Sequence, residues 1–132
     1  MPIEWSAEIP FTQDAIETQI PIQAGVYEIL QSEEYPRYAG KTRVLKIGKS
    51  ESDLRQEISN HFVRHAAANR LTRVRNQPSI KVSVRFAVIS DGTVGQIEKQ
   101  LLCEFEDKYW DIPVLNSQRG YGRNQDTHYR QR

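Results

Sequence analysis

The amino-acid sequence predicts one small α+β domain with a three-stranded antiparallel or mixed sheet flanked by helices. Three observations support this class. Segments rich in β-formers alternate with amphipathic helical segments, the 132 residues suffice for one hydrophobic core, and apolar and charged residues occur in ordinary globular proportions. The expected order is strand, strand, helix, strand, helix. Residues 1–22 are expected to form a lead-in arm, residues 23–118 the domain and residues 119–132 a basic C-terminal tail.

The first two strands are predicted from two short segments rich in β-forming residues. Residues 25–30, GVYEIL, begin with a glycine and predict the first strand. Residues 44–48, VLKIG, predict a second strand antiparallel to it. The polar segment between them, residues 31–43, contains a proline and a glycine and is expected to be a long hairpin loop. Just before these strands lies a short amphipathic segment, which Thr12 or Asp14 could cap as a helix.

The two helices of the domain are predicted from apolar residues that recur every three or four positions. The first is expected to be capped by Ser50 or Ser52 and to run to about Asn69. The second covers residues 94–110 and stops before a proline. Between the helices, residues 80–89 alternate between apolar and polar side chains for most of their length, which predicts the third strand.

Charge is unevenly distributed along the chain, although the net charge is only +1. Residues 1–36 carry seven acidic side chains and no lysine or arginine, whereas residues 54–86 carry seven basic side chains and one acid, Glu57. This asymmetry is compatible with a basic surface that meets a polyanion and also with an ordinary solvated helix face. The residues assigned to a nucleic-acid-binding surface are Lys49, Arg64, Arg70, Arg73 and Arg75.

Motif spacing argues against several other functions. Two GK[ST] triplets, which begin at Gly40 and Gly48, lack the glycine five positions earlier that a phosphate-binding loop requires. His61 and His65 have metal-ligand spacing, but the glutamate of a zinc-hydrolase helix is missing. A single cysteine, Cys103, cannot form an internal disulfide. Because no apolar run approaches the roughly 20 residues of a membrane span, and no signal-peptide pattern is present, we expect a cytoplasmic protein without membrane contact.

Short motifs spread along the chain resemble those of the GIY-YIG nuclease family. Residues 25–27, GVY, lie on the first predicted strand, and residues 46–48, KIG, lie on the second, with a helix directly after it. A later helix carries Glu98 in the pattern E-x-x-L-L-x-x-F, and residues 113–116, PVLN, follow. The resemblance covers about residues 20–118. It implies a metal-dependent endonuclease that cleaves DNA phosphodiester bonds with Mg²⁺ or Mn²⁺, with DNA expected over RNA.

The resemblance also implies a role for each matching residue. Glu98 would bind the metal ion, and Glu104 is the second choice because it lies closer to the end of the domain. Tyr27 would border the attacking water together with Lys46, which occupies the position of the YIG tyrosine. Asn116 would brace the site from the end of the domain.

The catalytic arginine of the family has no direct counterpart in this chain. The family places this arginine four residues before a histidine or tyrosine on the same helix. His61 fits the latter position, but the residue four positions before it is Glu57. Arg55, two positions earlier, would reach the phosphate if the helix start were shifted. Because a carboxylate repels phosphate, two alternatives remain: a non-catalytic nucleic-acid-binding module with the same fold, and a domain that mediates protein contacts.

Overall fold

The structure, a computed structural model, describes residues 3–62, 71, 73–74 and 76–116. In this part of the chain the strands are β1 (Ile9–Pro10), β2 (Gly25–Pro36), β3 (Lys41–Ser50) and β4 (Val82–Val88). The α-helices with both ends in the described residues are α1 (Gln13–Gln19), α2 (Leu54–Ser59) and α3 (Val94–Tyr109). A 3₁₀ turn (Asn60–Phe62) follows α2. The α+β class is confirmed, but the sheet has four strands instead of three.

The sheet is antiparallel throughout and has the order β1-β4-β2-β3. Strand β2 therefore lies between β3 and β4, and Tyr27 on β2 is paired with Gly48 on one side and Phe86 on the other. The unexpected strand β1 pairs with β4, where Ile9 lies opposite Val84. A two-residue strand that ends in proline has no measurable alternation, which is why the sequence pattern does not reveal it.

The hairpin between β2 and β3 differs from the expected long loop. The prediction for residues 31–43 was wrong, because both strands extend through most of this segment to a tight turn at residues 37–40. Gly40 closes the turn with φ 83°, a conformation that glycine adopts without a steric penalty. The pairing shifts register between Leu30 and Tyr35. This irregularity breaks the two-residue alternation, so the segment has the sequence pattern of a loop although its backbone is extended.

Helices cover both faces of the sheet, and alternate residues of β2 point to opposite sides. Val26 packs towards α3, whereas Tyr27 packs in the core beneath α1 and α2. Helix α1 is capped by Thr12, one of the two caps predicted, and contributes Ile16 to that core, with Ile20 directly after the helix. The segment expected as a lead-in arm therefore supplies part of the main core. Its members in the described residues are Ile9, Phe11, Ala15, Ile16, Ile20, Tyr27, Ile29, Leu45, Leu54, Ile58, Leu71, Val84 and Leu115.

Helix α2 begins one residue later than a cap at Ser52 would place it and three residues later than a cap at Ser50 would. Asp53 is the N-cap, and its carboxylate accepts a hydrogen bond from the Gln56 amide at 2.9 Å. Ser50 is still part of β3, and its hydroxyl oxygen accepts a hydrogen bond from the Asp53 amide at 2.8 Å. The prediction of Ser50 or Ser52 as the cap was therefore wrong. The expected continuation of the helix to Asn69 lies outside the described residues.

Candidate active site

Tyr27 lies at the centre of the candidate site, and its position is determined by a glycine on the neighbouring strand. The phenol ring is fully buried on β2 opposite Gly48. A Cβ atom at position 48 would lie 2.4 Å from the Tyr27 hydroxyl oxygen and 2.5 Å from the adjacent ring carbon. Only a residue without a side chain leaves room for the hydroxyl there. The GVY and KIG motifs are thus in contact through Tyr27 and Gly48.

The Tyr27 hydroxyl joins two polar residues of the helical segment that follows β3. It donates to Glu57 Oε2 at 3.0 Å and lies 2.7 Å from His61 Nε2. Since a phenol carries one proton, the hydroxyl that donates to Glu57 accepts from a protonated Nε2 of His61. The Tyr27 and His61 rings meet edge to face, with centroids 5.8 Å apart. We call Tyr27, Glu57 and His61 the Tyr27 cluster.

Burial determines the protonation of this cluster. It is the main factor that raises the pKa of Tyr27 well above its ordinary value, and the nearby negative charge of Glu57 raises this pKa further. Tyr27 therefore remains a protonated hydrogen-bonding group at neutral pH. His61 is also buried, with 1% of its surface exposed, whereas Glu57 is partly exposed. Glu57 is thus the member of the cluster that solvent reaches.

Glu98 lies on the side of α3 that faces the sheet. It precedes Leu102 and Phe105 by one and two helical turns, and both of these residues are buried against Ile47. The carboxylate is partly buried, and this burial is the main factor that raises the pKa of Glu98. The charges of Lys49 and Lys46 act in the opposite direction, while those of Glu57 and Glu51 raise the pKa further.

Glu104, the second choice for a metal ligand, lies elsewhere on α3. Its side chain is exposed and accepts a hydrogen bond from Gln100 at 3.0 Å. The geometry therefore favours Glu98 over Glu104 for any role at the sheet, because Glu98 lies among charged groups of β3 and α2 and Glu104 lies in solvent.

Two lysines of β3 bring positive charge to Glu98. Lys46 is half-buried between Leu45 and Ile47, and Lys49 forms an ion pair with Glu51 at 2.8 Å. This hydrogen bond to Glu51 is the main factor that raises the pKa of Lys49. We call Glu98, Lys46 and Lys49 the Glu98 cluster. It combines a carboxylate able to hold a divalent cation with ammonium groups able to approach a phosphate.

The structure places Arg55 in a packing role. Its Nε donates to the carbonyl oxygen of Ile20 at 2.7 Å, which ties α2 to the end of α1. Among the described residues, no hydrogen bond or ion pair joins Arg55 to Tyr27, His61 or Glu98. The helix start is not shifted in the way that would bring Arg55 to the Tyr27 cluster, because Asp53 caps α2 immediately before Leu54.

Asn116 forms two hydrogen bonds with the backbone of β3. Its Oδ1 accepts from the Ile47 amide and its Nδ2 donates to the Ile47 carbonyl, each at 3.0 Å. The amide of Leu115 also donates to the Leu45 carbonyl at 2.8 Å. Asn116 is buried, so these bonds fix the free edge of β3 next to Lys46. Its position is that of a brace for the strand that carries the lysines.

The predicted nucleic-acid-binding residues are only partly described by the structure. Arg73 is exposed, and Lys49 lies in the Glu98 cluster. Arg64, Arg70 and Arg75, like His65, lie outside the described residues.

The hydrogen bond between Glu57 and Tyr27 does not follow from the family resemblance, in which Glu57 is only a charge that repels phosphate. The four-residue spacing of Glu57 and His61 was a usable signal, because residues at this spacing lie on one face of a helix. That spacing is compatible with a hydrogen-bond acceptor, Glu57, and a donor, His61, that both face Tyr27.

A metal ion would have one good carboxylate ligand at this site. Among the described residues, no group of three histidine, cysteine, aspartate or glutamate side chains is placed to hold a metal together. Mg²⁺ is commonly held through one or two carboxylates, with waters and substrate phosphates completing its octahedron. The like charges of Glu57 and Glu51 nearby repel the negative charge of Glu98. Glu98 therefore fits this mode of binding. A bound Mg²⁺ or Mn²⁺ would supply positive charge for a phosphate oxygen.

Comparison of the chain with protein-family models, with curated proteins and with solved structures gave no match. No helix in the described part of the chain is long and apolar enough to cross a membrane.

Proposed function

We propose that this chain is a GIY-YIG-type domain that hydrolyses DNA phosphodiester bonds with Mg²⁺ or Mn²⁺ bound by Glu98. The observation that carries the proposal is the meeting of distant motifs at one end of the sheet. Glu98 of α3 lies within electrostatic range of Tyr27, of Lys46 and Lys49 on β3, and of Glu57 on α2. These residues occupy the order along the chain that the family resemblance assigns to a catalytic site.

Each cluster supplies a different part of the proposed reaction. Lys46 and Lys49 of the Glu98 cluster offset the negative charge of a phosphodiester, and Glu98 holds the metal ion. Tyr27 and His61 are positioning residues, because both are buried and hydrogen-bonded to each other. The Tyr27 hydroxyl, which His61 holds in place, donates to the Glu57 carboxylate and orients it. Solvent reaches this carboxylate, which can accept a proton from an attacking water.

A second candidate function is a nucleic-acid-binding module without catalysis. It is favoured by the pairing of Glu57 with Tyr27 and of Arg55 with Ile20, since among the described residues these contacts place no arginine at the position where the family grips phosphate. Loss of such a group weakens transition-state binding by several kcal/mol. Binding of the ground-state polyanion depends on the net field and survives better, because it needs no single aligned donor.

Substitutions of Glu57 and Glu98 separate the two functions. Supercoiled plasmid is incubated with the full chain in Mg²⁺ or Mn²⁺, with EDTA as the control, and nicking is compared among wild type, Glu98→Ala, Glu57→Gln and Glu57→Arg. We expect metal-dependent nicking by the wild type, none by Glu98→Ala, and a loss of about 100-fold or more in both Glu57 variants if this carboxylate is the base.

The opposite pattern would identify the second function. If the wild type does not nick DNA and Glu57→Arg does, Glu57 is the residue that ended catalysis in a GIY-YIG-type domain. If no variant cleaves but DNA binding falls steeply with salt, the chain is a binding module. Absence of both cleavage and salt-sensitive binding would reject a nucleic-acid function and leave a domain for protein contacts.

A further inference from the structure

Glu51 lies between the two elements that carry the Glu98 cluster. It follows directly after β3, and its Oε2 lies 2.8 Å from the ammonium nitrogen of Lys49. The same oxygen would lie 3.9 Å from a Cβ atom at Gly95, in the first turn of α3. The carboxylate of Glu51 therefore occupies the space between the end of β3 and the start of α3. The proposed function gives it no role.

Gly95 and Glu98 lie on the same side of α3. Residues three positions apart on a helix are neighbours, with about 5–6 Å between their Cβ atoms. Since position 95 is a glycine, no Cβ atom there separates the Glu51 carboxylate from that of Glu98. Glu98 interacts electrostatically with both Lys49 and Glu51, attracted by the first and repelled by the second. Glu51 is therefore close to an ammonium group on one side and to the proposed metal ligand on the other.

The backbone around Glu51 is fixed, whereas its side chain is solvated. The Ser50 hydroxyl oxygen accepts hydrogen bonds from the amides of Ser52 at 3.3 Å and Asp53 at 2.8 Å, which hold the short turn between β3 and α2. The Glu51 side chain is 67% exposed, and that of Lys49 is 32% exposed. Because an exposed ion pair is weak, Glu51 can exchange its partner without any rearrangement of the fold.

We propose that Glu51 is a positioning residue that holds Lys49 until Glu98 binds a divalent cation, so that phosphate binding at this site depends on the cation. The inference rests on the proposed function. Without a cation, Glu51 neutralises the ammonium group of Lys49, which then attracts phosphate less. With a cation at Glu98, the Glu51 carboxylate turns to the larger positive charge and leaves Lys49 to a phosphate oxygen.

The first test is a double-mutant cycle in EDTA, which requires neither a cation nor cleavage. Fluorescence anisotropy measures the affinity of a short labelled DNA duplex for the full chain, for Glu51→Gln, for Lys49→Gln and for the variant with both substitutions. We expect Glu51→Gln to raise the affinity about two- to fivefold, which is the range that an exposed ion pair corresponds to. In the Lys49→Gln background the gain should be clearly smaller. An equal gain in both backgrounds would overturn the proposal, because it would reflect only the loss of a negative charge.

Glu33→Gln is the matched control for the charge. It removes the same charge from an exposed carboxylate in the part of β2 where the pairing with β3 shifts register. We expect its affinity for the duplex to stay close to that of the wild type, and a gain equal to that of Glu51→Gln would overturn the proposal. Thermal melting of every variant checks that these surface substitutions leave the fold intact.

The second test repeats the comparison in Ca²⁺ at constant ionic strength, with the duplex checked on a gel so that cleavage does not enter the measurement. Ca²⁺ prefers oxygen ligands, as Mg²⁺ does. We expect the advantage of Glu51→Gln over the wild type to disappear, because Glu51 has then already left Lys49 in the wild type. In a Glu98→Ala background the advantage should persist in Ca²⁺. Persistence with Glu98 present, or disappearance with Glu98 replaced, would overturn the proposal.

The role of Glu51 and the proposed nuclease function can fail separately. If the wild type nicks plasmid with Mg²⁺ or Mn²⁺ but the cycle shows no coupling between Glu51 and Lys49, the role of Glu51 fails and the function stands. If the coupling and its loss in Ca²⁺ are both found but no metal-dependent nicking occurs, the nuclease function fails, and Glu51 controls phosphate binding in a module without catalysis.

Discussion

The two polar clusters of the candidate site differ mainly in their burial. The Tyr27 cluster lies largely inside the main core, where Tyr27 and His61 are almost completely inaccessible and joined by a hydrogen bond. The Glu98 cluster is half-exposed and is held by charge attraction at the end of β3. Buried polar groups are costly unless every partner is in place, whereas partly solvated charges tolerate rearrangement. Tyr27 and His61 of the first cluster therefore contribute mainly to the stability of the domain, whereas Glu57 and the Glu98 cluster are accessible to a ligand.

The largest expected effect comes from removing the tyrosine ring of the buried cluster. Tyr27→Ala deletes a fully buried ring and leaves His61 without its hydroxyl partner, so we expect the free energy of unfolding to fall by about 3–5 kcal/mol. Glu98→Ala should change it by about 1 kcal/mol or less, because solvent already screens the carboxylate. Urea unfolding followed by circular dichroism measures both values. Similar losses of unfolding free energy in Tyr27→Ala and Glu98→Ala would show that the two clusters do not differ in their contribution to stability.

The candidate site could be predicted from the sequence only where a motif lies on a regular element. Tyr27 and Gly48 are brought together because strands β2 and β3 pair in register, and both motifs were visible as strand segments. Glu98 was likewise predictable from the apolar residues that follow it on α3. The fate of Arg55 was not, because it depends on a single hydrogen bond to the Ile20 carbonyl, a partner 35 residues away in the chain.

A smaller effect is expected from adding one methyl group beside Tyr27. Gly48→Ala places a carbon 2.4 Å from the buried hydroxyl, and the ring cannot move aside within the core. We expect a loss of about 1–3 kcal/mol together with displacement of the Tyr27 hydroxyl from Glu57. Stability is measured by urea unfolding, and the environment of the phenol ring by near-ultraviolet circular dichroism.

Gly95→Ala on α3 is the matched control for this substitution. A Cβ atom there would lie 3.9 Å from Glu51 Oε2, which is an ordinary contact distance. Because alanine favours helix over glycine, we expect this variant to gain about 0.5 kcal/mol. Equal losses in the two glycine variants would refute the specific role assigned to Gly48.

The fold was predictable where the residue pattern is regular and was missed where it is interrupted. Helix α3 was predicted to within one residue of its observed bounds because its apolar residues keep helical spacing over sixteen residues. The extension of β2 beyond Leu30 was missed because the register shift before Tyr35 removes the alternation. The strand is held beyond the register shift by a tertiary contact of Tyr35, whose hydroxyl oxygen accepts a hydrogen bond from the Val114 amide at 3.1 Å. Such a contact joins distant segments and has no signature in the local sequence.

The smallest expected effect compares two glutamates that each pair with an arginine but differ in burial. Glu8 is exposed, and the Arg43 guanidinium, helped by the Ser83 hydroxyl, holds the pKa of Glu8 at about 2. Glu28 is buried, and burial raises the pKa of Glu28 even though Arg85 lies 2.8 Å away. Although each glutamate pairs with an arginine, the pKa of Glu8 is lowered and the pKa of Glu28 is raised. At Glu28 the loss of solvent outweighs the ion pair.

These opposite shifts predict opposite pH dependences of stability. A lowered pKa means that the contribution of Glu8 is present above its ordinary value of 4.5 and is lost as pH falls through about 2. A raised pKa means that the contribution of Glu28 is fully present below 4.5 and is lost as pH rises through its elevated value. The unfolding free energies of Glu8→Gln and Glu28→Gln are therefore compared with the wild type between pH 2 and pH 7.

The deficit of a variant is the amount by which its unfolding free energy falls below that of the wild type. We expect the deficit of Glu8→Gln to be at most about 1 kcal/mol near neutral pH and to shrink as pH falls. The deficit of Glu28→Gln should instead narrow as pH rises. Deficits that vary with pH in the same direction would show that burial does not set the behaviour of these two pairs.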